Sequence, residues 1–498
     1  MIFSSWQFIL LFLPITFTVY FLLNQKQFFV AGKVWLVLVS GFFYAYWDTA
    51  YLPLIVISIL FNYGIGTWLA KGDGHHKAVE NSRSPVFSRK IVLAAGVALN
   101  LVLLGYYKYT SFVISNINAL FGTNYQHRSI ALPLAISFFT FTQIAYLVDS
   151  YREETSEYNL LNYTLFVTFF PHLIAGPIVH NRDLMPQFAS REAAVPWSEN
   201  IWKGLFIFSI GLFKKVVIAD TFSIWANAGF DGVAALGFYP AWAASLSYTF
   251  QLYFDFSGYC DMAIGAALLF NIWLPVNFNS PYKASDIQDF WRRWHITLSS
   301  FLRDYLYIPL GGNRCGKLRI YLNIFITFLL GGLWHGATWM YVIWGAMHGI
   351  ALVINRLWKT LNRPLHPVAG WLVTFVFVNF AWVFFRAKSL DDARRVLRGM
   401  LDIRSAFGVN AASVPVSDVA WGGWLSDHLL RFVPGMVGMV PSYLAIMLAF
   451  VLIARKNSME LLRSSSGSGA PVYAGVLFSV AMCFTLATAS TVFLYFNF

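Results

Sequence analysis

Residues 91–104 read IVLAAGVALNLVLL and residues 441–453 read PSYLAIMLAFVLI. In a membrane β-strand, segments of about ten residues alternate apolar and polar positions. These runs do not alternate, so they predict helices in lipid, where every backbone N–H and C=O must be satisfied within the segment. The same texture fills the chain: of 498 residues, 58% are hydrophobic, 18% aromatic and 12% charged, with a mean hydropathy of +0.59. An ordinary soluble domain is about 25% charged, which excludes a water-soluble globule. At roughly 20 residues per crossing, the composition supplies on the order of eleven to thirteen spans in one polytopic unit, 1–498.

Candidate spans lie near 5–23, 34–47, 51–70, 91–107, 130–149, 161–179, 201–219, 240–273, 320–334, 337–354, 368–385, 441–455 and 471–496. The first lacks a basic leader and a cleavage site, so it reads as a retained helix. The segment 161–179 carries Pro171, Gly176 and Pro177, and 240–273 is too long for one crossing; both predict broken or re-entrant helices. Lys and Arg exceed Asp and Glu, giving a net charge of +12, which points to cytoplasmic loops and anionic lipid rather than nucleic acid. The basic stretches 71–90 and 280–319 are therefore expected on the cytoplasmic side. Counting three crossings back from residue 71 then places the N-terminus outside. Cys260, Cys315 and Cys483 are too few and too scattered for a metal cage or a disulfide framework. Residues 388–440 form a more polar excursion holding an amphipathic helix over 390–401, and Ser464–Ser468 reads as a linker. No internal repeat is visible, which counts against transporter folds built from repeated halves.

Ionisable groups inside apolar spans are costly and so mark candidate sites. Three clusters qualify. In YTFQLYFDFSGYCD (248–261), Gln251, Asp255, Ser257 and Asp261 interrupt an aromatic run, either as a substrate-facing row or as a polar network pinning helices; Gly258 permits a break or close packing. In SDIQDFWRRWHITLSSFLRDYLYIPL (285–310), Ser285 and Gln288 have capping-box spacing and predict one helix ending at Pro309. Its apolar stripe includes Trp291, Trp294 and Leu298, Arg292, Arg293 and Arg303 lie off that stripe, and His295 borders it. His295 is either core packing or part of a site. In IYLNIFITFLLGGLWHGATWMYVIWGAMHG (320–349), a helix from Arg319 carries His335 about 24 Å along the axis, deep in a hydrocarbon core of about 30 Å. There it is a general base or a structural histidine bonded across helices, while Gly331, Gly332 and Gly336 allow close approach by a helix or a substrate. His348 is read as structural. No Gly-x-Ser-x-Gly elbow, P-loop, His-Glu-x-x-His or dinucleotide fingerprint is present.

These blocks resemble the membrane-bound O-acyltransferases, in particular the bacterial branch that O-acetylates alginate. The resemblance rests on QLYFDFSGYCDMAIG (251–265), NFNSPYKASDIQDFWRRWHITLSSFLRDYLYIPLGGNR (277–314) and GGLWHGATWMYVIWGAMHG (331–349). Looser support comes from FFPHLIAGPIVH (169–180), MIFSSWQFILLFLP at the start and FLYFNF (493–498). Cys260 stands where the family pattern has a small hydroxyl residue. The resemblance implies an all-α inner-membrane enzyme with re-entrant or interfacial helices around a central tunnel and its core motifs within 248–349. It implies His335 as the catalytic histidine and His295 as the second catalytic position. Gln251, Tyr253, Asp255, Ser257, Trp291, Arg292, Arg293, Arg303 and Trp334 are the candidate donor- or substrate-binding residues. No permanent cofactor or metal is implied. The donor is acetyl-CoA or an acyl carrier thioester on the cytoplasmic side. The acceptor is an exopolysaccharide such as alginate, reached with periplasmic partner proteins. D-alanyl transfer to teichoic acid, or export of a polysaccharide or lipid along the buried polar residues, are the alternatives.

Overall fold

The computed structural model describes residues 1–71, 88–126, 130–155, 159–407, 439–464 and 469–487, together with Leu494. The basic loop 72–87, residues 408–438 of the polar excursion, most of the 464–468 linker and FLYFNF apart from Leu494 lie outside the described residues. Among the described residues every regular element is helical. Seven helices are long and apolar enough to cross a membrane, namely Phe8–Gln25, Thr49–Ala70, Arg89–Phe121, Lys317–His335, Trp339–Thr360, Pro367–Arg386 and Gly469–Ala487. Phe29–Ala45 and Val440–Ala454 are shorter apolar helices. The other expected spans, which are short, interrupted or rich in polar groups, pack inside the molecule.

The axis of the fold is the 31-residue helix Phe238–Leu268, buried along nearly all its length. At 1.5 Å per residue it runs about 46 Å. The expected break in 240–273 is absent, because Gly258 is used for helix crossing instead. Gly204 and Gly211 on Ser198–Phe213 sit seven residues apart, as do Gly258 and Gly265. A Cβ at Gly211 would meet the Gly258 carbonyl at 2.6 Å, and one at Gly204 would meet the Gly265 carbonyl at 2.8 Å. The two helices thus run antiparallel, backbone against backbone, through small residues that face each other. Beyond this crossing, a π-helical stretch, Lys214–Ala219, delivers Lys214 to Asp261 at 2.7 Å and Lys215 to Asp255 at 2.8 Å. The break expected in 161–179 is present. Leu160–Thr168 stops, a single turn Phe170–Leu173 follows, and an irregular segment leads to His180.

The predicted helix over 286–308 is three pieces. Asp286, not Ser285, is the N-cap; its carboxylate accepts from the Asp289 N–H at 2.8 Å. Ile287–Arg293 then ends, His295 adopts a left-handed conformation (φ 44°), and Ile296–Leu302 continues into a π turn, Arg303–Tyr307. The sequence stripe did not show this break because it is made from outside the segment. The Asn277 carbonyl accepts from Ile296 N–H at 3.0 Å, and Asn279 N–H donates to the Arg293 carbonyl at 2.9 Å. The third cluster folds as a hairpin of Lys317–His335 and Trp339–Thr360. Gly332 and Gly345 let its backbones touch: a Cβ on either would come within about 3.1 Å of the other's Cα. The amphipathic helix expected over 390–401 is found as Leu390–Leu401, with Ser389 accepting at its N-terminus.

Candidate active site

His335 is the last residue of its helix and 4% exposed; His295 is fully buried. Their ring centroids lie 6.4 Å apart, so residues separated by 40 positions in sequence are brought together. Aromatic rings enclose them. Trp334 lies 5.0 Å from His335 and 6.3 Å from His295, Trp344 and Phe385 lie 5.1 and 5.2 Å from His335, and Phe256 lies 4.8 Å from His295.

The orientation of His295 can be read from its neighbour. Asn277 Oδ1 accepts from Thr297 N–H at 3.2 Å and from the Thr297 hydroxyl at 3.0 Å. A backbone N–H only donates, so that atom is the amide oxygen. His295 Nδ1, 3.2 Å from the same oxygen, is therefore the protonated nitrogen, and Nε2 carries the lone pair. His348 behaves as expected of a structural histidine, accepting at Nδ1 from Trp291 Nε1 at 3.2 Å.

Two cavities approach this pair from opposite ends of the hairpin. The larger, about 760 Å³, is lined by Trp291, Arg292, Arg303, Phe328, Arg356 and Lys359 among others. It therefore has a basic mouth and an aromatic inner end. Trp291 stands 5.8 Å from Trp344, which in turn contacts His335. The mouth is braced. Lys359 bridges Asp286 at 3.0 Å and Gln288 at 2.8 Å, and Arg356 donates to Asn313 at 3.0 Å. Burial works against the Asp286 charge, but the Asp289 N–H, Lys359 and Asn355 outweigh it and hold the carboxyl below its ordinary range. The smaller cavity, about 80 Å³, is lined by His335, Trp334, Lys108, Ser137, Ile174 and residues 132–136. On the Lys317–His335 helix, Trp334 and His335 lie between six and eleven positions beyond Phe328 and Ile324 of the larger cavity, about 9–17 Å by helical rise.

The remaining sequence candidates separate. Arg293 lies outside the large cavity, paired with Asp289 at 2.9 Å and near the Asn279 carbonyl at 3.4 Å. Asp255 is enclosed by Lys215 and the Leu494 N–H, the latter at 3.0 Å, so it pins helices together. Gln251 and Ser257 are buried on the same helix and line neither cavity. Tyr253 packs against Tyr282 and Trp294 and lines a separate cavity beside Lys214 and Arg455. Sequence reading missed Asn277, Lys108, Ser137, Arg356 and Lys359. Only Lys108 carried a signal, a charge following seventeen uncharged residues from Ile91. Among the described residues no group of three or more His, Cys, Asp or Glu side chains gathers as a metal site.

A buried histidine pair, with His335 in the wall of a small cavity and a basic cavity approaching through Trp291 and Trp344, is the arrangement of a membrane-embedded transfer enzyme. The comparisons give the family. Residues 96–390 match the membrane-bound O-acyltransferase family, to which the chain belongs. A peptidoglycan O-acetyltransferase of Helicobacter pylori is 44% identical across 100% of this chain and 98% of its own length. A Pseudomonas aeruginosa protein named "probable alginate O-acetylase AlgI" is 42% identical over 80% of this chain and 75% of its own. A teichoic acid D-alanyltransferase of Streptococcus thermophilus is 29% identical over 46% of this chain and 59% of its own. The chain is thus an acyltransferase of the membrane, not an exporter.

Proposed function

We propose that this enzyme moves an acetyl group from a cytoplasmic thioester, acetyl-CoA or an acyl carrier, to a hydroxyl of a cell-envelope polysaccharide on the far side of the inner membrane. The observation that carries the reading is the histidine pair standing between two cavities of different chemistry. The basic mouth suits the phosphates of a donor, since guanidinium groups pair bidentately with phosphate. His335 takes the proton from the acceptor hydroxyl as its oxygen attacks the thioester carbonyl; the carbon–sulfur bond breaks and the thiolate leaves toward the cavity it came from. His295, oriented by Asn277 so that Nε2 is its unprotonated nitrogen, assists the proton transfer. Periplasmic partner proteins bring the polysaccharide hydroxyl to the site.

Peptidoglycan is the acceptor best supported, because the Helicobacter pylori relative matches along the whole chain; alginate or a similar exopolysaccharide is the second reading, and D-alanyl transfer the third. The test is to delete the gene, purify peptidoglycan and exopolysaccharide, and quantify base-labile acetate on each. The wild-type gene restores acetate to peptidoglycan. General-base catalysis contributes about 10²–10⁴-fold, so His335→Gln, which keeps a hydrogen bond but takes up no proton at neutral pH, loses that much at matched protein level. His295→Ala is severely reduced, and the double variant is little worse than His335→Gln alone. Near-normal acetylation by His335→Gln would make the histidine a packing residue.

A further inference from the structure

The helix that carries His335 ends there, so its last four carbonyls, from Gly332 to His335, have no partners within the helix. The structure accounts for each. Gly336 N–H donates to Gly332 at 3.4 Å. Tyr109 donates its hydroxyl to Leu333 at 2.7 Å. Lys108 donates to both the Trp334 carbonyl and the His335 carbonyl, the latter at 3.2 Å. The Lys108 ammonium is steadied by Ser137 Oγ at 3.2 Å and lies 5.8 Å over the Trp334 ring. Two consecutive residues of Arg89–Phe121, more than 220 positions away in sequence, therefore cap the end of the histidine helix. Lys108 also shares with His335 the wall of the small cavity.

A lysine placed this deep in an apolar helix is costly unless paired. A cation at a helix C-terminus is favourable because it meets the negative end of the helix dipole. Its target is the peptide unit of the catalytic histidine itself. We propose that Lys108, with Tyr109, is a positioning device that fixes the rotation and depth of His335 at the small cavity. The inference rests on the role given to His335 above. Lys108 does not line the large cavity, so its loss impairs the transfer step without weakening donor binding.

The test uses full-length Lys108→Met, Lys108→Arg and Tyr109→Phe alongside wild type and His335→Gln. The first measurement is amide hydrogen exchange of peptides covering 330–341. Lys108→Met exchanges faster there and not elsewhere, and Lys108→Arg, which keeps charge and donors, returns toward wild type. The second is acetyl transfer to envelope polysaccharide in inside-out membrane vesicles titrated with acetyl-CoA. A misplaced reacting group costs about 10²-fold, so Lys108→Met loses about that in kcat while KM for acetyl-CoA stays within about twofold. Lys108→Arg recovers most of the loss, and Tyr109→Phe shows a smaller effect of the same kind. Unchanged exchange and kcat in Lys108→Met, or a loss expressed in KM, overturns the inference. If Lys108→Met does not accumulate, Tyr109→Phe carries the same comparison. If wild type and His335→Gln transfer equally, the functional reading fails, and the exchange result still decides whether Lys108 holds the helix end.

Discussion

Arg292 and Arg293 are neighbours in sequence and have different surroundings. Arg292 faces the large cavity, whereas Arg293 turns back to Asp289 one helical turn earlier. The sequence placed both on the donor side because a helix continuous from 286 to 308 would carry Arg292, Arg293 and Arg303 along one polar flank. Arg292 and Arg293 are successive residues of Ile287–Arg293, about 100° apart around its axis, so only Arg292 faces the cavity, and Arg303 joins it from beyond the left-handed His295. If the large cavity receives a phosphorylated donor, Arg292→Glu raises the KM for acetyl-CoA about tenfold, equivalent to about 1.4 kcal/mol. Arg293→Glu changes it less than about twofold and costs about 0.5 kcal/mol from loss of a half-buried i,i+4 pair. Titration of acetyl-CoA with the two variants checks this, and equal effects would place the donor elsewhere. His335 was legible because a lone histidine in an apolar run flanked by glycines has few other readings. Asn277 was not, because an asparagine in a loop becomes a histidine's partner only once distant backbone folds against it.

At the scale of elements, the sequence showed where helices lie better than what they do. Apolar runs gave the long spans, and Pro171, Gly176 and Pro177 gave the interruption after Thr168. The central helix was misread as broken because a length rule for lipid was applied to a helix enclosed by protein. Its glycines were the misleading signal and serve as contact points. The histidine hairpin makes the same use of glycine. A Cβ on Gly345 would meet the Phe328 carbonyl at 2.5 Å and Gly332 Cα at 3.1 Å. Gly345→Ala therefore pushes the two helices apart. Overpacking of this kind costs about 1–3 kcal/mol, and because Trp344 and His348 flank the site, activity falls as well. Gly105→Ala is the control: nothing lies within 4 Å of its Cβ, and replacing a helical glycine gains up to about 1 kcal/mol. Thermal unfolding of the purified variants in detergent separates the two, and a Gly345→Ala protein as stable as wild type would contradict the close crossing.

Across the whole molecule, charge and geometry can be checked against each other. Lys317–His335 and Trp339–Thr360 run antiparallel, so Arg314, Lys317, Arg356, Lys359 and Arg363 gather at one end and the Gly336–Thr338 turn lies at the other. The small cavity belongs to that second end, where it takes in Trp47 and the segment 132–138, which leads into Ile136–Tyr151. If the basic end is cytoplasmic, as the positive-inside rule predicts, the large cavity lies on the proposed donor side and the small one on the proposed acceptor side. The Arg386–Arg398 region tests that assignment most severely. It is basic, yet it follows Pro367–Arg386, a span that starts at the basic end of the hairpin, and so belongs to the opposite end. There Arg386 and Lys388 pair with Asp231 at 2.6 and 2.8 Å, and Arg395 donates to the Gly229 and Phe230 carbonyls at 2.9 and 2.8 Å. These charges are used up in holding Leu390–Leu401 to the molecule and do not set orientation. Single cysteines at Asn124 and Arg363, both exposed, in a chain lacking the three native cysteines, report the result directly. An impermeant maleimide added to intact spheroplasts labels Asn124→Cys, and labels Arg363→Cys only after the membrane is opened. The reverse pattern would invert the enzyme and put the basic cavity on the side that has no thioester donor.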